Sequence, residues 1–332
     1  MFKQNVKKIS VVISLLFLEA VILFFMFSSF VISPVVGGIE QNVSVTTLLN
    51  IGNNFPEVLN VSVDYGATAI TLIANSTKLV NCLGVVRDWN LQADIKLISA
   101  KFFDTSNSSY DSYEDNNSNY YNASCNLTYD FTSFNSYSDD EYTLLANCTF
   151  NVWYYANPQT WKCTIVANDS SNLQDSGNYT INVSELLSIG VPDTINYGTV
   201  NATKVSDENI TTVLNYGNVR LNLSIRGYAV NEADNLSMNC TLGSSKNISV
   251  GYEKYNLTVS NPGDMATLAQ FQSLYANLTS NITIKRFNLN YRMNETAHEA
   301  FNSTYWRIYV PRGVAGSCSG KVVIGASKAW GS

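Results

Sequence analysis

Six cysteines, one histidine and a run of carboxylates are the side chains in this 332-residue sequence that could carry covalent, acid–base or metal chemistry. Cys82, Cys125, Cys148, Cys163, Cys240 and Cys318 are an even set with no CxxC spacing, and His298 is the sole histidine, too few to complete a usual zinc tetrad. Isolated cysteines in even number behind an export segment read as three disulfides formed in an oxidising compartment. A Ser-His-Asp site would have to use His298, which lies in a short polar stretch after Asn294. No phosphate loop, GxGxxG or GxSxG occurs, so the chain reads as a non-enzyme without a cofactor. Carboxylates concentrate from Asp104 to Glu141, with no Lys or Arg between Lys101 and Lys162. Within that run Asp111, Glu114 and Asp115 are the calcium candidates, since hard oxygen ligands suit that ion, although no DxDxDG run is present and a solvated loop is the plainer reading.

Modification chemistry gives a denser signal. N-x-[S/T] acceptors take up 22 of the 41 asparagines, where the Ser and Thr content gives about 8 by chance. The set expected to carry N-linked glycan is Asn60, Asn75, Asn126, Asn147, Asn182, Asn201, Asn209, Asn222, Asn239, Asn247, Asn256, Asn277, Asn294 and Asn302. Many have an apolar centre, as in Asn60-Val61-Ser62, Asn126-Leu127-Thr128, Asn209-Ile210-Thr211, Asn222-Leu223-Ser224, Asn247-Ile248-Ser249 and Asn256-Leu257-Thr258. On a strand, successive side chains face opposite sides, so the centre enters the core while Asn and Ser/Thr face water. Asn147-Cys148-Thr149 and Asn239-Cys240-Thr241 follow the same rule with a half-cystine inside.

The elements that must hold these residues are therefore strands. Val219, Leu221, Leu223 and Ile225 alternate with polar neighbours, as do Cys148, Phe150, Val152 and Tyr154, and Trp306, Ile308 and Val310. Turn residues separate them at Asn157-Pro158, Asp175-Ser176-Gly177, Asn215-Tyr216-Gly217-Asn218, Asn261-Pro262-Gly263 and Pro311-Arg312-Gly313. One helix is expected, capped by Asp264, with Met265, Leu268, Phe271, Leu274 and Tyr275 on its covered face. The fold class is all-β, with two sandwiches in tandem: an N-terminal segment 1–38, a first domain 39–186 and a second 187–332.

Trp161-Lys162-Cys163 resembles strand F of immunoglobulin-like sandwiches, where an aromatic two residues before the inter-sheet half-cystine shares its face. That resemblance implies Cys82 as the strand B partner, leaving Cys125 to join Cys148 across a hairpin and Cys240 to join Cys318. Four cysteines in the first domain allow three pairings. The stretch Val191-Pro192-Asp193-Thr194-Ile195-Asn196-Tyr197-Gly198-Thr199-Val200, followed by Thr212-Val213-Leu214-Asn215-Tyr216-Gly217-Asn218-Val219, resembles the opening of camelysin-type biofilm-fibre and abnormal-spindle-like sandwiches. Camelysins are described as metalloproteases, but His298-Glu299-Ala300-Phe301-Asn302 lacks the second histidine of HExxH, so no peptidase activity carries over. As a whole the chain is similar to archaeal surface proteins with tandem immunoglobulin-like domains.

Lys3, Lys7 and Lys8 precede an apolar run from Ile9 to Ile32, interrupted by Glu19. Twenty-four helical residues reach about 36 Å, enough to cross the ~30 Å hydrocarbon core. A retained anchor is therefore favoured over cleavage after Val36-Gly37-Gly38, with the N-terminus cytoplasmic if uncleaved and the remainder outside. Only 14% of residues are charged and the net charge is −6, so no basic stripe exists for nucleic acid. The expected role is a glycosylated structural or adhesive envelope component whose partners are the membrane and identical subunits or other envelope proteins. The alternative is a filament subunit in which Ile39 to Asn50, freed by cleavage, completes a neighbour's sheet.

Overall fold

A computed structural model describes residues 44–264, 268–293 and 298–329. The run Ile9–Ile32, the cleavage candidate, Asn42, Met265 and Asn294 lie outside the described residues. No helix among the described residues is long and apolar enough to cross a membrane. The chain falls into two contact units, Met1–Asn50 and Ile51–Ser332. In the first, residues 44–50 are exposed coil, with Val45, Leu48 and Leu49 open to solvent.

In the second unit the chain forms β1 (Glu57–Val63), β2 (Ala69–Ile70), β3 (Thr77–Arg87), β4 (Ile95–Asp104), β5 (Asn119–Asn122), β6 (Asn126–Thr128), the small hairpin β7 (Ser133–Phe134) and β8 (Tyr137–Ser138), β9 (Thr143–Trp153), β10 (Thr160–Asp169) and β11 (Gln174–Val183). These strands make a four-stranded sheet, β1-β3-β9-β6, and a five-stranded sheet, β2-β11-β10-β4-β5. Every pairing is antiparallel except β2 against β11. The two sheets close on one core, because each strand supplies alternate apolar residues: Trp161, Cys163, Ile165 and Ala167 of β10 face Val80, Cys82, Ala146, Cys148 and Val152. Trp161 is its centre, fully buried, with its ring 4.9 Å from Phe102 and 5.9 Å from Tyr120. Its indole N–H donates to the Asn157 carbonyl at 2.8 Å, so burying the ring strands no polar atom.

The chain continues through β12 (Ile189–Gly190), β13 (Asn209–Asn215), β14 (Leu221–Tyr228), β15 (Leu236–Leu242), β16 (Asn247–Ser249), β17 (Glu253–Asn256), helix α1 (Leu268–Leu274), β18 (Ala276–Asn277), β19 (Thr283–Leu289), β20 (Phe301–Ile308), β21 (Ala315–Ser319) and β22 (Lys321–Lys328). A five-stranded sheet, β12-β13-β20-β17-β18, accompanies two three-stranded ones, β19-β14-β22 and β16-β15-β21. Val213, Leu221, Leu223, Ile225, Tyr255 and Trp306 fill the core shared by the first two. The structure is thus mostly strand and sandwich-like, with one α-helix among the described residues. On α1 Phe271 is buried and Tyr275 just beyond it too, but Leu274 is 44% exposed, contrary to the expected stripe, because seven residues make under two turns and the covered face is narrow.

Strands up to Val183 and strands from Ile189 on occupy separate sheets, and the residues between them meet a polar joint. The Asn215-Tyr216-Gly217-Asn218 turn is its hub. Asn218, wholly buried, donates to the carbonyls of Ala156 (2.9 Å) and Ser184 (3.1 Å) and accepts from the Leu186 amide at 2.7 Å. Asn215 donates to the Val219 carbonyl and accepts from Gly217 N, both at 2.9 Å. Position 217 must be glycine, since a Cβ there would stand 2.0 Å from the Leu186 carbonyl oxygen. Around the hub, Tyr154 meets Tyr216 edge-on at 6.1 Å and Arg292 lies over Tyr155 at 4.9 Å.

Replacing Asn218 with Ala leaves the Ala156 carbonyl buried without its donor and takes the partners of the half-buried Ser184 carbonyl and Leu186 amide away, so the variant should lose about 3 kcal/mol of stability in urea unfolding. An unchanged urea midpoint would show that the joint contributes nothing to the cooperative unit.

Candidate functional site

Three disulfides set the frame on which the acceptor asparagines are displayed. Cys82 of β3 joins Cys163 of β10 across the two sheets, with Cα atoms 6.4 Å apart. Cys125, just ahead of β6, joins Cys148 of the adjacent β9 at 4.4 Å, and Cys240 of β15 joins Cys318, its direct partner on β21, at 4.0 Å. These are the same three pairs the sequence suggests. The bonds close loops of 81, 23 and 78 residues. Loops of those lengths correspond to about 3 to 4.5 kcal/mol each in the chain-entropy model. Three such bonds mark a protein of an oxidising, extracytoplasmic compartment.

Most of the expected acceptors face water. Asn75, Asn126, Asn182, Asn201, Asn239, Asn247, Asn277 and Asn302 are exposed, while Val61, Cys148, Val183, Leu223, Cys240 and Ile248 at sequon centres are buried. Asn60, Asn147, Asn209 and Asn256 are half-buried. Leu127 and Leu257 are only partly covered, because both lie where their sheets run out.

Two sequons depart from the expected phase. On β13 it is inverted: Ile210 is 59% exposed, whereas Thr211 and Val213 point inward, and Asn209 donates from Nδ2 to the Asn196 carbonyl at 2.9 Å. Val213 and Asn215 fix that phase, since one packs in the core and the other must reach the turn beyond. Asn222 is 7% exposed although Leu221 and Leu223 on either side are fully buried. The register of β14 against β19 shifts between Leu221 and Leu223, and Asn222 Oδ1 accepts from the amides of Phe287 (2.9 Å) and Asn288 (3.1 Å) freed by that bulge. Asn222 thus serves as a buried cap, and the expectation that it faces solvent fails.

The calcium candidates are not brought together. Asp111 and Glu114 are exposed, Glu114 Oε1 accepts from Tyr121 N at 3.3 Å, and Asp115 Oδ1 turns back onto Asn117 N at 2.7 Å. Their oxygens stabilise the 104–122 loop instead of converging. His298 is exposed at the start of a short 3-10 turn, its ring 6.3 Å from that of Phe301.

Composition gave no warning of the ionisable groups that the second half buries. Arg307, 1% exposed, donates to the carbonyls of Ser206 and Asn261 at 2.7 Å, to that of Gly263 at 2.8 Å and to Tyr275 OH at 3.1 Å. Tyr275 in turn donates to Glu208. Burial together with its bond to Glu208 pushes the Tyr275 phenol up to about 12. Burial opposes ionisation of Glu208, yet the hydrogen bonds from Asn261, Ser260 and Tyr275 and the Arg307 charge outweigh it and leave the carboxyl below its ordinary value. One guanidinium thus ties α1, the Asn261-Pro262-Gly263 turn and the strand-free segment at Ser206 to β20. Nearby, Tyr197 donates to Glu253 at 2.8 Å, clamping the 191–200 segment over the core. Burial pushes Glu253 up to about 7 despite that bond.

No protein-family model and no curated protein matches the sequence. Among solved structures, the chain is similar to one from a chaperone–tip adhesin complex of CFA/I fimbriae, with 13% identity over 82% of each chain and a TM-score of 0.29. A chain described with promiscuous carbohydrate-binding modules of the β-sandwich superfamily shares 8% identity over 83% of this chain and 98% of that one, at a TM-score of 0.21. A DUF4466 family protein from Parabacteroides merdae shares 11% over 76% of this chain and 100% of that one, also at 0.21. The sandwich assignment rests on the sheet orders given above and not on these likenesses.

Glu253 holds its proton more tightly folded than unfolded, so the folded state loses stability as pH rises from about 4.5 to about 7. Urea unfolding should show a decline of about 2–4 kcal/mol over that window, and Glu253→Gln, which keeps an acceptor for Tyr197, should flatten it. An identical slope in the variant would place the linkage elsewhere.

Proposed function

We propose that the chain is an extracellular structural or adhesive component of a cell envelope, carrying N-linked glycans on the outer faces of two immunoglobulin-like domains, and that it is not an enzyme. The observation that carries this reading is the placement of the sequons. Eight of the expected acceptors are exposed on a chain poor in charged groups, so sugar supplies the hydration that lysines and glutamates give other surfaces. The immunoglobulin-like reading is supported by the sheet order β1-β3-β9-β6 facing β2-β11-β10-β4-β5, with the cystine joining β3 to β10 and Trp161 two residues before Cys163. A domain boundary near residue 186 fits the separate sheets on either side of it. In this reading the run Ile9–Ile32 anchors the protein in a membrane, the sandwiches project outward, and the kinship with archaeal surface proteins gives their setting.

A filament subunit is the second reading, and one observation favours it. Val45, Leu48, Leu49 and Ile51 are 77–93% exposed in a strand-free stretch ahead of β1, an apolar row of the kind a neighbouring sheet could take up. The mature N-terminus separates the two: an intact N-terminus supports the anchor, whereas a chain beginning near Ile39 and recovered as SDS-resistant polymers supports the filament.

Glycopeptide mass spectrometry of the native protein should find sugar at most of Asn75, Asn126, Asn182, Asn201, Asn239, Asn247, Asn277 and Asn302, with Asn222 unmodified. A protein bare at all eight would remove the basis of the proposal.

A further inference from the structure

At the end of the first sandwich where β3 and β10 finish, three aspartates from distant parts of the chain converge. Asp88 follows β3, Asp94 closes the 3-10 turn Gln92–Asp94 that leads into β4, and Asp169 ends β10. One carboxylate oxygen from each lies within 4.8 Å of the others. Asp88 and Asp169 have no exposed surface, and Asp94 is half-buried. Among the described residues, no lysine or arginine forms an ion pair with any of the three.

Most of the outer oxygens are spoken for by neutral donors. Asp169 accepts from Leu173 N and from Asn53 Nδ2, both at 2.7 Å, Asp94 accepts from the Ser170 hydroxyl, and Asp88 Oδ1 accepts from Asn90 N at 2.8 Å. Asp88 Oδ2 is shielded from water and accepts nothing. A buried carboxylate oxygen without a donor, beside two further carboxylates, has two ways to become tolerable. It can take a proton, or the group can hold a cation. Burial and the charges of Asp94 and Asp169 both favour the proton on Asp88 while the site is empty. A divalent cation removes that penalty by neutralising two of three charges and supplying the missing partner at once.

We propose that Asp88, Asp94 and Asp169 form a calcium site that clasps the β3–β4 and β10–β11 loops together at the end of the sandwich where the chain enters. The ligand chemistry is all oxygen, without His or Cys, which suits calcium, magnesium or manganese and not zinc. Three carboxylate oxygens within 4.8 Å of one another can share a single cation, and calcium, which takes about 6–8 oxygens in flexible geometry and dehydrates more readily than magnesium, suits a site built from three carboxylates and water. Half-exposed Asp94 leaves an entry path, and water completes the coordination.

The probe is CaCl2 alone, titrated into the purified full-length glycoprotein after EDTA treatment and dialysis. Millimolar calcium should raise the thermal midpoint by several degrees, magnesium should raise it less, and Tb3+ should bind with emission sensitised by Trp89, which adjoins Asp88 and is half-exposed. Calcium should quench that emission competitively. Asp94→Asn, at the most open of the three positions, should weaken binding at least tenfold while the protein still folds, as judged by intact disulfides and an unchanged circular dichroism spectrum. Equal midpoints in EDTA and calcium with no Tb3+ emission would overturn the proposal. So would an Asp88→Asn variant as stable in EDTA as in calcium and more stable than the parent in both, since that is the signature of a buried carboxyl that merely keeps its proton. Neither outcome bears on glycan occupancy or on the mature N-terminus, so this site and the envelope reading stand or fall separately.

Discussion

The fold hinges on a buried amide. Where β9 turns into β10 and where β11 runs out, the buried carbonyl of Ala156 and the half-buried carbonyl of Ser184 and amide of Leu186 have no strand left to pair them. Asn218 is shaped for that demand, with two N–H donors and one carbonyl acceptor on a planar group, and it meets all three from within a turn of the second half. A serine could offer one donor and an aspartate none. Because the partners are backbone atoms, the bonds specify position as well as stability. The second half is thereby seated in one orientation, and Gly217 lets it approach as closely as the Leu186 carbonyl allows. Asn117 donates to the backbone carbonyls of both Tyr155 and Arg292 at 2.9 Å, and Tyr291 OH donates to the Asn157 side-chain oxygen at 3.2 Å, extending the joint.

The same economy of polar groups runs through both cores. Arg307 is buried without a carboxylate in direct contact and is tolerable because carbonyls from two segments and a phenol surround it. Tyr197 and Glu253 hold down a segment that has almost no strand pairing of its own: between β12 and β13 the chain makes a lone bridge, Val205 to Tyr309. Side-chain hydrogen bonds thus stand in for ladder bonds wherever the backbone leaves a sheet. The disulfides work on the unfolded chain instead, since Cys82–Cys163 joins sheets that core packing already holds together.

The sequence reveals the strands best where alternation is long and both neighbours agree. Val219, Leu221, Leu223 and Ile225 are buried to within a few per cent, as are Cys148, Phe150, Val152 and Tyr154, because a period of two with one apolar face has a single low-energy phase. It misleads at Asn209-Ile210-Thr211, where a three-residue pattern gives way to Val213 further along the same strand. It misleads again at Asn222, since a bulge depends on what the neighbouring strand does and leaves no trace in the strand that fills it. The aspartates converge from positions up to 81 residues apart, and each alone resembles an ordinary loop residue. The acidic run from Asp104 to Glu141 is dense along the chain, but density does not bring oxygens to one point.

The placement of these features along one strand links them. β10 begins beside the joint, where the Thr160 carbonyl accepts from Thr105 N, and ends at Asp169 in the acidic cluster. Ten residues of strand separate the two by about 30 Å. That strand also carries the buried Trp161 and Cys163, so the element connecting the ends is anchored in the core and cross-linked to the opposite sheet. Asn53, on the segment entering from the N-terminal side, bonds to Asp169, which sets the point of entry at the cluster and the point of exit at Asn218. A cation held by Asp88, Asp94 and Asp169 would stiffen the end of the first sandwich at which Asn53 is bonded. The amide of Asn218 does the same at the opposite end, so the sheets of the first sandwich are tied by side-chain chemistry at both ends of β10.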